Sequence, residues 1–339
     1  MRRRRLGLAV LVLILILVGG YSGFWFIAAG RVESGLVDWA QLLREQNLDL
    51  SWSGVRVEGF PFAFHIRLVE ARLRSAAGNP ADLAIPELSA TVRPWRLREW
   101  QLSAPKGFDG MAGPTTDPVV HLAAHSGTGA ALVAGDGGPQ VWLILTDVDA
   151  EFGPTVHAET AHLWLTLPPH PPQSHTEPAF GLAADLHGVE VPSPPAPFKN
   201  PVDDIAFGVT LMGAFSPDQP AAAAAAWRDA GGTLELDHFD LHWSSLAVAG
   251  SGTLALGPDL QPIGGFSGSV SGYDEALGAL VAAGQMRASD ARLARVALAM
   301  LAKTGPDGRP EIATSFTIQN GQMYLGPAKL GPAPRIVWR

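Results

Sequence analysis

The chain has 339 residues, with 24 Lys and Arg against 32 Asp and Glu and no cysteine. That length can bury a core without covalent staples, and the missing thiols exclude disulfides, thiolate zinc sites, a cysteine nucleophile and an acylated lipoprotein cysteine. Arg2 to Arg5 hold four of the basic residues, so the rest of the chain is more acidic than the net −8 of the whole, which disfavours a nucleic-acid partner because phosphate binding needs a basic face.

Behind the arginines, an uncharged run from Leu6 to Gly30 is rich in Leu, Ile and Val. Roughly 22 helical residues at ~1.5 Å each reach about 33 Å, enough for a hydrocarbon core of about 30 Å. Residues 1–30 are therefore expected to be a transmembrane anchor. Leu11, Leu13, Leu15 and Leu17 would lie in lipid, with Tyr21, Trp25 and Phe26 in the aromatic belt at the outer interface. A signal peptide cleaved near Ala28-Ala29-Gly30 is the rival reading, but such peptides carry a shorter apolar region of about 7 to 15 residues. The positive-inside rule keeps the arginines in the cytoplasm. The expectation is a single pass through the inner (cytoplasmic) membrane, with residues 31–339 as one extracytoplasmic β-rich domain in the periplasm.

From Arg31 to Gln46, Val32, Leu36, Trp39, Ala40 and Leu43 recur at helical spacing, so residues 31–46 are expected to continue the anchor as an amphipathic stalk. Alternation then predicts strands at Leu48 to Trp52, at Val55 and Val57, and from Phe60 to Leu68, with Pro61 at a strand start, bulge or edge. Short β segments follow at 83–92, 97–103, 119–124, 141–152, 156–167, 180–191 and 205–212. Glycine and proline separate many of them, and no helical pattern between them is long enough for a crossover, so the sheet is expected to be antiparallel. Pro168 to Pro178 and Pro192 to Pro201 read as extended loops. Pro220 to Ala230 reads as a short helix stopped by Gly231 and Gly232, followed by strands at 233–243 and 246–256. Helices are expected at 273–283, capped by Ser271, and at 288–303. Asn320-Gly321 between alternating segments signals a type I′ hairpin. The fold class is mainly β with helices (α+β): a transmembrane helix, then a curved antiparallel sheet partly covered by the stalk and by C-terminal helices within 273–303.

Several motifs occur in order across nearly the whole chain. They are Trp52 followed by Gly59-Phe60-Pro61-Phe62; Arg93-Pro94-Trp95 with Leu97; Leu241-His242-Trp243 through Gly252-Thr253-Leu254; Asn320-Gly321; and Tyr324-Leu325-Gly326-Pro327. In these the chain resembles domain-of-unknown-function family 2125, a set of anchored envelope proteins, and more distantly AsmA-type proteins. The close family implies no activity. The distant resemblance implies curved antiparallel sheet with an apolar inner face and a role in handling lipid, although this chain is short, has one anchor and lacks a repeated array.

No constellation points to catalysis. His238 and His242 on one strand would lie roughly 13 Å apart, too far to share a metal ion without a bulge. His121 and His125 lack the glutamate of a zinc-protease helix, and Gly265-Phe266-Ser267-Gly268-Ser269 lacks the last glycine of a nucleophile elbow. Gly127-Thr128-Gly129 reads as turn chemistry, and Asp147, Asp149 and Glu151 read as one wet strand face. The expectation is no catalytic residue, no metal and no cofactor. The remaining signal is apolar: Phe60, Phe62, Phe64, Trp142, Ile144 and Trp164 are the candidate lining of a groove for an acyl chain or other apolar ligand. The alternative is an adaptor that shows an acidic face to another envelope protein; a hydrolase ranks last. The expected partners are the bilayer, through the anchor, and then an apolar ligand or an envelope protein.

Overall fold

The computed structural model describes residues 2–45, 47–75, 80–113, 120–133, 138–192, 194, 198–215, 220–305, 310–326, 328–336 and 338. No proline interrupts the N-terminal region, and anchor and stalk form one unbroken helix, α1 (Arg2–Glu45). β1 (Leu48–Ser51) and β2 (Gly54–Glu58) then lie end to end on one edge of β3 (Phe64–Ser75), whose other edge pairs with β4 (Ala81–Arg93). β5 (Arg96–Ala104) and β6 (Phe108–Ala112) form a second composite rung between β4 and β7 (Val120–Leu132). β8 (Gln140–Glu151), β9 (Thr155–Thr166), β10 (Pro178–Glu190) and β11 (Val202–Met212) follow as neighbours in chain order.

After α2 (Pro220–Asp229) the meander resumes with β12 (Thr233–Trp243), β13 (Leu246–Leu256) and β14 (Pro262–Ser271). The helices α3 (Tyr273–Ala282) and α4 (Ala288–Leu301) precede β15 (Lys303–Thr304) and β16 (Pro310–Gln319). β16 pairs with β14 on one edge, and with β15 and β17 (Gln322–Leu325) on the other, before β18 (Ala328–Pro332) ends the sheet. The eighteen strands of the described residues all belong to one sheet. Among the described residues its first and last strands share no pairing, so the sheet is open and not a barrel.

The strands define two rims. The near rim carries the turns at 59–63 and 93–96, α2 and Trp338; the far rim carries the turn at 152–154, the described ends of the connection between β10 and β11, α3 and α4. Antiparallel partners point to the same face, so the register sorts the side chains. One row crosses eight strands as Leu145, Ala161, Leu186, Ile205, Leu241, Val248, Val270 and Ile312. The adjacent row, on the opposite face, reads Thr146, Thr160, His187, Asp204, His242, Ala247, Ser271 and Glu311. Along these rows one face is apolar and the other polar.

The sheet curves toward its apolar face. The buried cluster of Ala124, Leu145, Val148, Ala158, Ala161, Val189 and Val202, with the apolar residues packed on it, draws on strands and on Val191 and contains no helix residue. Val189 and Val202 are nevertheless only 1% and 2% exposed. A flat single layer cannot hide them, so the strands curl until side chains of the same face cover one another. Glycines sit where the inside of the bend is tightest. A Cβ at Gly129 would lie 2.3 Å from the Trp142 carbonyl oxygen, and one at Gly252 would lie 2.4 Å from that of Gly265.

A seam crosses the sheet at Glu70, His125, Asp147, Glu159, Gly188 and Asp203, where residue-by-residue pairing lapses; Glu70, Asp147 and Gly188 have positive φ there. At the seam the alternation flips, so Leu143 and Leu145 on one side and Val148 and Ala150 on the other all share the apolar face. Asp147, Asp149 and Glu151 are all exposed.

Trp25 is not in a lipid-facing belt. It is 3% exposed, stacks on Phe64 and meets the edge of Phe60, with its Nε1 donating to the Ala63 carbonyl. Ala29 joins the same cluster, and Val32 and Leu36 pack on Ile66, Leu68 and Ala71. The stalk thus covers the start of the apolar face. α3 and α4 instead sit at the far rim, against β13 and β16. Other local expectations also change. Gly127-Thr128-Gly129 lies within β7, paired to β8, because glycine is needed there for close backbone approach and not for a turn. The residue capping α3 is Gly272 in a left-handed conformation, with no side-chain cap from Ser271. Asn320 and Gly321 both have positive φ, 53° and 66°, as a type I′ turn requires.

Candidate functional site

Among the described residues, the middle of the apolar face is a trough without a second layer. Between the stalk-covered first strands and the C-terminal end it exposes half-buried Phe180, Leu182, Phe207, Val209, Leu236, Phe239, Phe266 and Phe316. Register places Phe180 beside Leu211, Phe207 beside Phe239, and Phe266 beside Phe316, whose ring centroids lie 5.8 Å apart. α2 covers only its near-rim end, where Ala224 and Trp227 pack on Leu256 and Leu211 and the Trp227 indole donates to the Met212 carbonyl at 2.7 Å. At the far rim Trp243 packs against Phe198 and donates to the Lys199 carbonyl at 2.8 Å, closing that side. Another apolar recess, about 280 Å³, lies on the same face between β1, β3, β4, β6 and β7, lined by Leu48, Leu73, Leu83, Phe108 and Leu122. No polar or charged residue is buried among the described residues. The trough can therefore hold an apolar chain through dispersion and the hydrophobic effect, but offers no buried dipole to orient a polar substrate.

The aromatic residues singled out from the sequence do not converge on this trough. Phe64 is on the apolar face but lies under Trp25. Phe60 and Phe62 are in the near-rim turn, where Phe60 also stacks on Phe26 at 5.6 Å. Trp142 pairs with Trp164 and Ile144 with His162, on the polar face. Leu15 and Leu17 are exposed along α1, as an anchor requires, while the side chains of Leu11 and Leu13 lie outside the described residues. The trough's own residues do not stand out in the sequence, because both faces of β8 and β9 carry large apolar groups. Tracing the unbroken apolar row from β10 to β14 would have told the faces apart.

The polar face carries its histidines as cross-strand pairs. His121 Nε2 lies 2.8 Å from Asp109 and its Nδ1 lies 3.8 Å from Glu151; His157 bonds Asp149 at 2.9 Å, and His187 bonds Asp204. The hydrogen bond to Asp109, opposed in part by desolvation and helped by the charge of Asp109 and Glu151, raises the pKa of His121 above its ordinary 6.5. The Arg72 guanidinium, hydrogen-bonded to Asp82, holds that carboxyl below its ordinary value, with Arg74 adding to the effect. His238 lies over Gly208 and His242 is opposite Asp204, so the two histidines serve different rows. Ser267 and Ser269 are mid-strand in β14 and not at a strand-to-helix elbow. These are surface ladder contacts, each of modest energy.

Fold and trough together define a class: mainly β proteins in which an N-terminal helix, apolar and long enough to span a membrane, carries an open, curved antiparallel sheet with one apolar face. The chain belongs to the family described as uncharacterized proteins conserved in bacteria, DUF2125, whose model matches residues 25–334. No curated protein and no solved structure matches it.

Proposed function

We propose that this protein is a non-enzymatic envelope component, anchored in the inner membrane with its sheet in the periplasm, whose trough holds or shields an acyl chain or similar apolar ligand. One observation carries the reading: an apolar face continuous across the sheet, concave, and half-exposed at Phe207, Phe239 and Phe266, with no second layer over it among the described residues. Soluble domains rarely leave so much contiguous apolar surface open without a partner for it. The orientation rests on Arg2–Arg5 before the apolar run. A retained anchor, as opposed to a cleaved leader, is supported by Trp25 and Ala29, which are part of the folded core. The test places a photo-reactive phenylalanine analogue at Phe207 or Phe239 in cells, with Asp240 on the polar face as control. Lipid adducts confined to the two inner positions support the reading; adducts at neither, or equally at all three, overturn it.

A second reading, an adaptor for another envelope protein, draws support from α4, whose Leu293, Val296, Met300 and Leu301 are exposed at the far rim. Cross-linking from α4 in intact cells would yield one stoichiometric protein partner if that reading holds.

A further inference from the structure

The near rim carries exposed apolar side chains that neither the trough nor the core uses. Phe62 is 70% exposed, Trp95 and Leu97 are each 59% exposed, and Val133 is 49% exposed. They form a neighbourhood. Phe64 and Val92, which anchor the turns on either side, pack in one cluster around Trp25, and the Val133 amide donates to the Arg98 carbonyl at 2.9 Å. In a chain that is acidic overall, the 93–98 segment reads Arg-Pro-Trp-Arg-Leu-Arg, with Arg93, Arg96 and Arg98 exposed. Arg96 also meets Glu99 at 3.1 Å. Exposed Trp and Leu flanked by arginines suit the boundary between acyl chains and phosphates, where an indole is at home and guanidinium groups pair with phosphate oxygens.

The length of the anchor decides what covers this rim. Among the described side chains, α1 first meets the sheet at Tyr21, whose hydroxyl donates to the Pro61 carbonyl, and is fully engaged by Trp25. Between the arginines and that contact lie Leu6 to Gly20, about 15 residues or ~22 Å of helix, against a hydrocarbon core of about 30 Å. Crossing from Leu6 with no tilt takes about 20 residues, to roughly Trp25, and tilt lengthens the requirement. The missing ~8 Å falls within the depth of about 5–10 Å to which interfacial segments bury. The helix is clamped to the turn at 59–63, so it cannot make up the difference by sliding.

We infer that the near rim docks into the outer leaflet of the bilayer that the anchor crosses. Phe62, Trp95 and Leu97 enter the acyl boundary, and Arg93 and Arg98 sit at the lipid phosphates. The inference shares the anchor topology of the proposed function but does not require a ligand in the trough. Docking would hold the sheet upright on the membrane with its near-rim end at the lipid surface.

The natural chain has no cysteine, which makes site-directed spin labelling direct. Full-length F62C, W95C, L97C and F152C, the last on the far rim, would each be labelled and reconstituted into vesicles of palmitoyl-oleoyl phosphatidylethanolamine and phosphatidylglycerol. Accessibility to oxygen and to a water-soluble nickel complex is then compared. The expected result is oxygen-dominated accessibility at positions 62, 95 and 97 and nickel-dominated accessibility at 152. Water exposure at 95 and 97 equal to that at 152 overturns the inference. So does shielding of 95 and 97 from both reagents, which would mean burial against a second copy of the chain. Photo-cross-linking from Phe207 and Phe239 reads the trough separately, so either idea can fail while the other stands.

Discussion

Leu145 and Ile144 are adjacent, nearly equal in size and on opposite faces, which makes them a direct probe of the fold's asymmetry. Leu145 is 4% exposed and Ile144 is 45% exposed. Truncating a buried leucine to alanine costs about 2–5 kcal/mol, more where the surroundings cannot collapse into the space. Leu145 fills the room left by Gly127 on the neighbouring strand: a Cβ there would stand 3.1 Å from Leu145 Cδ2. With no side chain on Gly127 to move in, L145A should cost about 3–5 kcal/mol. I144A removes a similar volume, but about half of that surface is already wet, which leaves about 1 kcal/mol at ~0.8 kcal/mol per buried methylene. Equilibrium urea unfolding of the full chain in mild detergent, followed by tryptophan fluorescence, would compare the midpoints at matched slopes. Equal losses, or a larger loss for I144A, would refute the assignment of the apolar face as the inside of a curved single layer.

Other outcomes follow from the same geometry. G252V should destabilise strongly because its Cβ would collide with the Gly265 carbonyl oxygen, whereas G265A, with nothing within 4 Å, should shift the thermal midpoint little; similar shifts would contradict tight curvature at β13. H121Q should lower stability more at about pH 5.5 than at about pH 9. The His121 pKa is raised on folding, so its contribution is fully present below the ordinary value of 6.5 and is lost as pH rises through the folded value; a deficit that grows with pH would reverse the sign. D82N should show the opposite trend. The Asp82 pKa is depressed on folding, so the wild-type advantage is present above the ordinary carboxyl value and disappears as acid titrates the group. W25A should free the stalk from the turn at 59–63, seen as faster amide exchange at Phe62 and Ala63, whose amides bond the Gly59 carbonyl; unchanged protection would mean the joint does not depend on the indole.

The parts of the fold written in local chemistry were legible in the sequence. The apolar run, the alternation at Phe64, Ile66 and Leu68, the Asn320-Gly321 turn and the polyalanine helix each follow from the residues in place. What local pattern could not supply was the sidedness of the sheet. Positive φ at Glu70 and Asp147 flips the alternation partway along β3 and β8, so a strict period of two puts half of each strand on the wrong face. Gly127 and Gly129 looked like turn residues because their real role, close approach of β8, depends on a partner strand. The trough is hidden in the sequence for the same reason. Trp142, Ile144 and Trp164 are the most conspicuous side chains of their strands, yet the inner face is built from the plainer Leu143, Leu145 and Leu163, and only cross-strand register shows that these continue into Phe207 and Phe239. Trp25 had the composition of a membrane-interface residue, and its burial depends on Phe60 and Phe64, far along the chain.

The concave apolar face is proposed to carry an apolar chain in the native membrane. Full-length protein extracted into native nanodiscs and released in the mass spectrometer should keep one or a few lipid molecules through gas-phase activation that strips bulk lipid. F207E/F239E, which puts charge into the trough, should lose them, while A206E on the polar face should retain them. Lipid-free wild-type protein, or retention by F207E/F239E equal to that by A206E, would contradict the account.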